Sequence, residues 1–211
     1  EAASNDPASA KVPTLEELEA AAEHTGFGLL EIDAENCTLR LTDPEASLDV
    51  GALGKGYATE RAAEYLESVG AESYVLNIGG NIRIIGTKPD GSGWNTGIRD
   101  PQDPDGSFAV SLDLSDTACV TSGTYERYYM VDGEKYHHII DKDTLYPADY
   151  FESLTVVTKD SGLADALSTA LFCMSYEDGL ALAEKLGVDV LWIFPDGGIR
   201  YTSGLEARIV K

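Results

Sequence analysis

Positive charge is what this chain has least of. Fifteen Lys and Arg residues stand against 37 Asp and Glu, for a net charge of −22. A basic face for phosphate backbones is missing, which excludes nucleic acid as a ligand class. The same sign argues against docking on an anionic membrane surface. No run of about 18 apolar residues occurs, so no membrane-spanning helix is expected. No signal-peptide pattern is present either. The chain opens at Glu1 with a loose Ala/Ser/Asn/Pro stretch, as a processed or truncated product would. Cysteine is scarce: Cys37, Cys119 and Cys173 lie far apart, without C-x-x-C spacing. That excludes a zinc ribbon and a disulfide framework. All three are expected reduced and mostly buried, with a single disulfide left open.

What is present is a chain long enough for one large domain or two small ones, with 43% hydrophobic residues to fill a core. Residues 1–13 are expected to be a disordered lead-in. Thr14-Leu-Glu-Glu17 resembles a capping box and predicts a helix to about His24. Residues 28–32 and 37–41 predict strands, and Asp49–Gly56 a glycine-rich loop. An amphipathic helix is predicted over Tyr57–Val69, stopped by Gly70. Ser73–Asn77 predicts a buried strand that Gly79-Gly80 breaks or bulges before it resumes at Asn81–Gly86. Residues 87–106 predict a long loop. Strands follow at 108–114, 118–121, 125–131, 136–140 and 154–158, then helices over 161–175 and 176–186. A hairpin, 188–194 and 199–202, ends the chain. Strands and helices do not alternate strictly, so the class is α+β, with mostly antiparallel sheets packed against helices.

The most informative segment is Ser161–Ser175, apolar almost all round with one charge, Asp165. A lone carboxylate in a buried helix is costly unless compensated. Thr169 lies one turn on, on the same face. Two hard oxygens in that relation are half a site for Mg2+; a dipole-favoured Asp on a core helix is the plainer reading. Asp49-Val-Gly51-Ala-Leu-Gly54-Lys55-Gly56 precedes a helix, where glycines and a lysine would suit an anion. It is not a Walker A loop, and a tight loop-to-helix turn explains it as well. Asn77-Ile-Gly79-Gly80-Asn81 fits either a β-bulge or close approach by a flat ligand. Ser122-Gly123-Thr-Tyr-Glu-Arg lacks the G-x-S-x-G elbow and fits ligand hydrogen bonding better than a nucleophile. On a strand His137 and His138 point to opposite faces, so at most one reaches a given site. His138 with Asp141 is a candidate proton-transfer pair.

In this order, the Asp49–Gly56, Asn77–Asn81, Ser122–Arg127, His138–Asp141 and Ala164–Phe172 segments resemble the successive motifs of the ApbE family, the FAD:protein FMN transferases. The resemblance runs from about Thr14 to the C-terminus and implies one ApbE-like, T-fold-like domain over 14–211. It implies that FAD is the substrate, Mg2+ the cofactor, and a Thr or Ser hydroxyl of a target redox protein the acceptor. FMN would pass to it as a phosphoester, with AMP released and FAD pyrophosphatase activity on the side. By the same resemblance Asp165, Thr169 and the Gly54 carbonyl would hold Mg2+. Lys55 and adjoining amides of Gly51, Gly54 and Gly56 would face the pyrophosphate. His138, Asp141 and Asp165 would be catalytic, while Asn77, Gly79, Gly80, Ser122 and Gly123 would shape the nucleotide pocket. Two positions depart from the family pattern: Lys142 stands for Pro and Leu145 for Gly. A further N-terminal part, bearing an export signal or lipoprotein anchor and some FAD-binding surface, is expected in the full-length family. That predicts an extracytoplasmic, membrane-anchored protein. The departures motivate an alternative, a non-catalytic flavin- or nucleotide-binding module.

Overall fold

The computed structural model describes residues 10–103 and 105–210. Of the expected lead-in, residues 1–9 lie outside the described residues, and 10–13 run without regular structure into the first helix. The elements in order are α1 (Leu15–Ala22), β1 (Leu30–Asp33), β2 (Thr38–Leu41), α2 (Gly54–Ser68), β3 (Tyr74–Ile78), β4 (Asn81–Ile85), β5 (Trp94–Arg99), β6 (Phe108–Leu114) and β7 (Thr117–Gly123). They continue with β8 (Tyr128–Val131), β9 (Glu134–His137), β10 (Ser153–Thr158), α3 (Ser161–Phe172), α4 (Tyr176–Leu186), β11 (Asp189–Ile193), β12 (Ile199–Tyr201) and α5 (Ser203–Glu206). Among the described residues no helix is long and apolar enough to cross a membrane.

Six strands form the central sheet in the order β12-β11-β10-β7-β4-β3, every pair antiparallel. Three two-stranded hairpins, β1–β2, β5–β6 and β8–β9, stand outside it. This is the α+β, antiparallel class expected. The period-2 alternation of strand side chains splits the core into two layers. Ala118, Val120, Leu154, Val156, Val190 and Trp192 face α3 and α4, with Leu171 and Phe172 above them. Cys119, Val157, Leu191 and Ile193 face the other way, against Leu112 and Leu114 of the β5–β6 hairpin. Strand β10, Ser153–Thr158, is buried on both faces, its Leu154, Val156 and Val157 in the two layers and its Thr155 hydroxyl bonded to Thr121 at 2.8 Å.

The helix starts follow local chemistry. Thr14 and Glu17 close the capping box, Glu17 N–H to Thr14 Oγ1 at 3.2 Å and Thr14 N–H to Glu17 Oε2 at 2.8 Å. Asp160 and Ser175 cap α3 and α4 by accepting from Leu163 and Asp178 amides, and Gly187 ends α4 in the left-handed conformation.

Four expectations are corrected. The glycine-rich segment is not loop to its end, because Gly54-Lys55-Gly56 is the first turn of α2. Gly79-Gly80 is not a bulge but the two-residue turn of the β3–β4 hairpin, with φ of +58 and +88 and Ile78 opposite Asn81. Glycine adopts both of these positive-φ positions without steric cost. The 87–106 loop contains strand β5, whose Asn95 and Gly97 mask its strand character. Of the cysteines, all free, Cys119 is buried and Cys173 half-buried, but Cys37 is exposed in the β1–β2 turn.

Candidate functional site

The site is built where two helices begin. The Gly56 N–H of α2 donates to Asp165 Oδ2 of α3 at 2.8 Å. A methyl group at residue 56 would overlap the Ser161 carbonyl oxygen and come within 2.5 Å of Asp165 Cβ. Glycine is thus required by the closeness of the helices. Asp165 is only 4% exposed. Burial holds its carboxyl above the ordinary value, opposed by the Gly56 N–H and the Lys55 charge. Among the described residues no hydrogen bond reaches its second oxygen. Thr169, one turn further along α3, is half-buried. Ser168 is fully engaged between the Asp165 carbonyl, at 2.9 Å, and Ser122 Oγ of β7, at 2.8 Å. Ser122 thereby ties the Asp165 helix to the sheet. Gly123 ends β7 close against the Tyr125 ring.

The amides expected to cradle an anion are already used. Gly51 N–H donates to Asp49 Oδ1 at 2.6 Å, Gly54 N–H to the Val50 carbonyl at 2.7 Å, and Gly56 N–H to Asp165. That leaves Lys55 as the positive group for a phosphate. Its stem lies over the Gly79 turn, whose missing side chain would sit 3.5 Å from Lys55 Cδ. Asn77 Oδ1 braces this turn by accepting from Gly80 N–H at 3.2 Å. Lys55 thus lies between the Gly79 turn and, through its neighbour Gly56, Asp165, and its charge acts on His138 as well.

The expected His138–Asp141 pair does not form. His138 Nδ1 meets the Arg127 carbonyl at 3.2 Å. A carbonyl only accepts, so Nδ1 carries the hydrogen and the neutral ring keeps a free lone pair at Nε2. Desolvation, then the Arg127 and Lys55 charges, hold the imidazole below its ordinary value, against the Arg127 carbonyl bond. Asp141 is buried and accepts from the Asp143 amide at 2.8 Å, capping its own turn. It faces the C-terminal end of α3, where burial and the Asp141 charge push the Cys173 thiol up to about 11. His137 is a satisfied core residue: Nε2–H donates to the Ala148 carbonyl at 2.9 Å and Nδ1 accepts from Ile139 N–H.

Sequence reasoning missed a cavity of about 360 Å³ beside His138, walled by Arg127, Tyr128, Tyr129, Tyr136 and Tyr146. Tyr129 and Tyr136 stack across the β8–β9 hairpin with centroids 5.6 Å apart. The clustering of tyrosines around the hairpin was the available signal. Among the described residues no three His, Cys, Asp or Glu side chains gather as a metal cage. What the site offers is the Asp165 carboxylate oxygen that no hydrogen bond from the described residues reaches, a hard donor of the kind that suits Mg2+.

The fold is that of solved ApbE proteins. The crystal structure of the ApbE protein from Thermotoga maritima superposes with a TM-score of 0.88 at 33% identity, over 95% of this chain and 65% of that one. The flavin transferase ApbE from Vibrio cholerae gives a TM-score of 0.79 at 36% identity, over 94% and 63%. The ApbE family profile matches residues 2–192, and the chain belongs to the ApbE family. Curated relatives named FAD:protein FMN transferase include one from Treponema pallidum, 37% identical over 82% of this chain and 50% of its own. Another, from Vibrio cholerae, is 38% identical over 91% and 58%. The chain thus spans about half the length of the curated relatives it matches.

Proposed function

We propose that this chain is a FAD:protein FMN transferase that moves FMN from FAD to a Thr or Ser hydroxyl of a target protein, releasing AMP. The observation that carries this reading is the convergence of Asp165, Lys55 and His138 at one end of the α2–α3 pair. The acceptor oxygen bonds to the FMN phosphorus, the bond from that phosphorus to the AMP oxygen breaks, and the hydroxyl proton passes to His138 Nε2. The Arg127 carbonyl fixes the tautomer that makes this transfer available. Lys55 neutralises pyrophosphate charge. The second oxygen of Asp165, the Thr169 hydroxyl and the Gly54 carbonyl would hold Mg2+, and the buried, half-satisfied carboxylate fits such a charge. When bound, the ion supplies Lewis-acid stabilisation of phosphoryl oxygens. Asp141 acts by shaping the turn after His138, not as a proton partner. With water in place of the acceptor, the same groups support hydrolysis of FAD to FMN and AMP. The extracytoplasmic setting rests on family resemblance.

The test is to incubate the protein with FAD and an acceptor peptide, with Mg2+ or with EDTA. A Mg2+-dependent mass gain of one FMN on the peptide, with stoichiometric AMP, is the expected result. Intact FAD retained on the protein in every condition would instead make it a non-catalytic flavin binder.

A further inference from the structure

The contact between α2 and α3 is reciprocal. Gly56 N–H of α2 donates to Asp165 of α3 at 2.8 Å. One turn along each helix, Ser161 N–H of α3 donates to Glu60 Oε2 of α2 at 2.7 Å. The register is antiparallel and matched, Glu60 four residues after Gly56 and Ser161 four residues before Asp165. Each carboxylate therefore sits against the N-terminal turn of the other helix, where the helix dipole favours it. Glu60 is 6% exposed and is held from the sheet by Arg83 of β4, itself 9% exposed. Arg83 Nε lies 3.2 and 3.1 Å from the two Glu60 oxygens, and its guanidinium also donates to the Ile84 carbonyl at 2.8 Å. Nothing in the transfer chemistry calls for this buried pair.

We infer that Glu60, oriented by Arg83, is a positioning residue for Asp165. By gripping the first amide of α3 it sets the separation of the two helices, and that separation decides whether Gly56 N–H reaches Oδ2 and leaves the second Asp165 oxygen free for a cation. The inference rests on the proposed role of Asp165 as a cation ligand. Partners one step removed from a metal typically change its affinity 10- to 100-fold when lost.

The test separates the hydrogen bond from the ion pair. Removing both charges together avoids stranding one of them. Glu60→Gln with Arg83→Met keeps an acceptor for Ser161 N–H; Glu60→Leu with Arg83→Met does not. Mn2+ titration by electron paramagnetic resonance reads the cation site, and amide hydrogen exchange at Gly56 reads the helix contact without metal. The Leu/Met pair is expected to weaken Mn2+ binding about tenfold and to speed Gly56 exchange by a similar factor. The Gln/Met pair should stay within threefold of wild type in both. Equal Gly56 exchange in the two folded double variants would overturn the inference. Asp165→Ala is run beside them. Mn2+ affinity unchanged in that variant would sink the cation reading and the inference with it, whereas loss there with equal affinity in the two double variants sinks the inference alone.

Discussion

Two glycines two residues apart in the same helix turn should respond to alanine with opposite signs. At Gly56 an added methyl has no free volume: the Ser161 carbonyl oxygen lies inside its radius and Asp165 Cβ only 2.5 Å away. Both are backbone or next to it, so no side chain can swing aside and the helices themselves must part. Overpacking of this kind costs about 1–3 kcal/mol, and the strained or lost Gly56–Asp165 hydrogen bond costs about 1–3 kcal/mol more. Better helix propensity returns at most about 1 kcal/mol. Taken at their midpoints these give a loss of about 3 kcal/mol for Gly56→Ala, which lowers the melting temperature by roughly 6–12 °C for a chain of this size. At Gly54 the same methyl would meet only Val50 Cγ2 at 3.6 Å, ordinary contact. Gly54→Ala should be neutral or gain up to about 1 kcal/mol, and it keeps the backbone carbonyl assigned to Mg2+. Urea and thermal unfolding of the two variants read the difference directly. A Gly56→Ala protein as stable as wild type would refute the close-approach reasoning.

Three further outcomes are expected. Because burial raises the Asp165 carboxyl above 3.8, the folded chain holds a proton that the unfolded chain has released as pH rises past that value, so stability falls with rising pH through the window. Asp165→Asn keeps an acceptor for Gly56 N–H and removes the charge. In EDTA at pH 7 it should melt higher than wild type, converging below pH 3.8, while losing Mg2+-dependent transfer; a lower melting point at pH 7 would contradict this. His138 is held below 6.5 and must be neutral to accept a proton. The acid limb of kcat/KM should then fall below pH 6.5 and vanish in His138→Asn, and a limb centred above 6.5 would remove His138 from the role. Leu145 stands at φ +63, in the left-handed region, where a side chain costs about 1–2 kcal/mol. Leu145→Gly should be more stable than Leu145→Ala by about 1 kcal/mol in denaturant titration, since both lose the isopropyl group beyond Cβ and only glycine relieves the backbone; equal stability would show that the turn carries no strain.

What was legible in the sequence was what neighbouring residues decide. The Thr14–Glu17 capping box, the α4 boundaries at Tyr176 and Leu186 and the terminal hairpin all depend on contacts a few residues apart, and the structure reproduces them. Asp165 was legible for a related reason, since one charge in an apolar helix is conspicuous without any partner in view. The long-range partners were not legible. Glu60 and Arg83 carry no local signal, because their pairing with each other and with the first amide of α3 exists only in the fold. The bond between Ser122 and Ser168 was equally invisible, since the two lie on separate elements.

The glycines show the limit most clearly, and they also say how the site works. In sequence, Gly51, Gly54 and Gly56 have the look of a phosphate cradle, because small residues before a helix expose amides. In the fold those amides are occupied by Asp49, Val50 and Asp165. The glycines serve internal contact, which brings a second helix close enough for a buried carboxylate to be half satisfied by backbone and half left open. A cradle would bind any anion of the right size. A half-satisfied carboxylate beside a lysine instead favours a ligand that brings a cation and phosphate charge together. That combination, rather than anion binding alone, is what the Mg2+-complexed dinucleotide of the proposed function would offer, and under that proposal it reconciles a net charge of −22 with a polyanionic substrate.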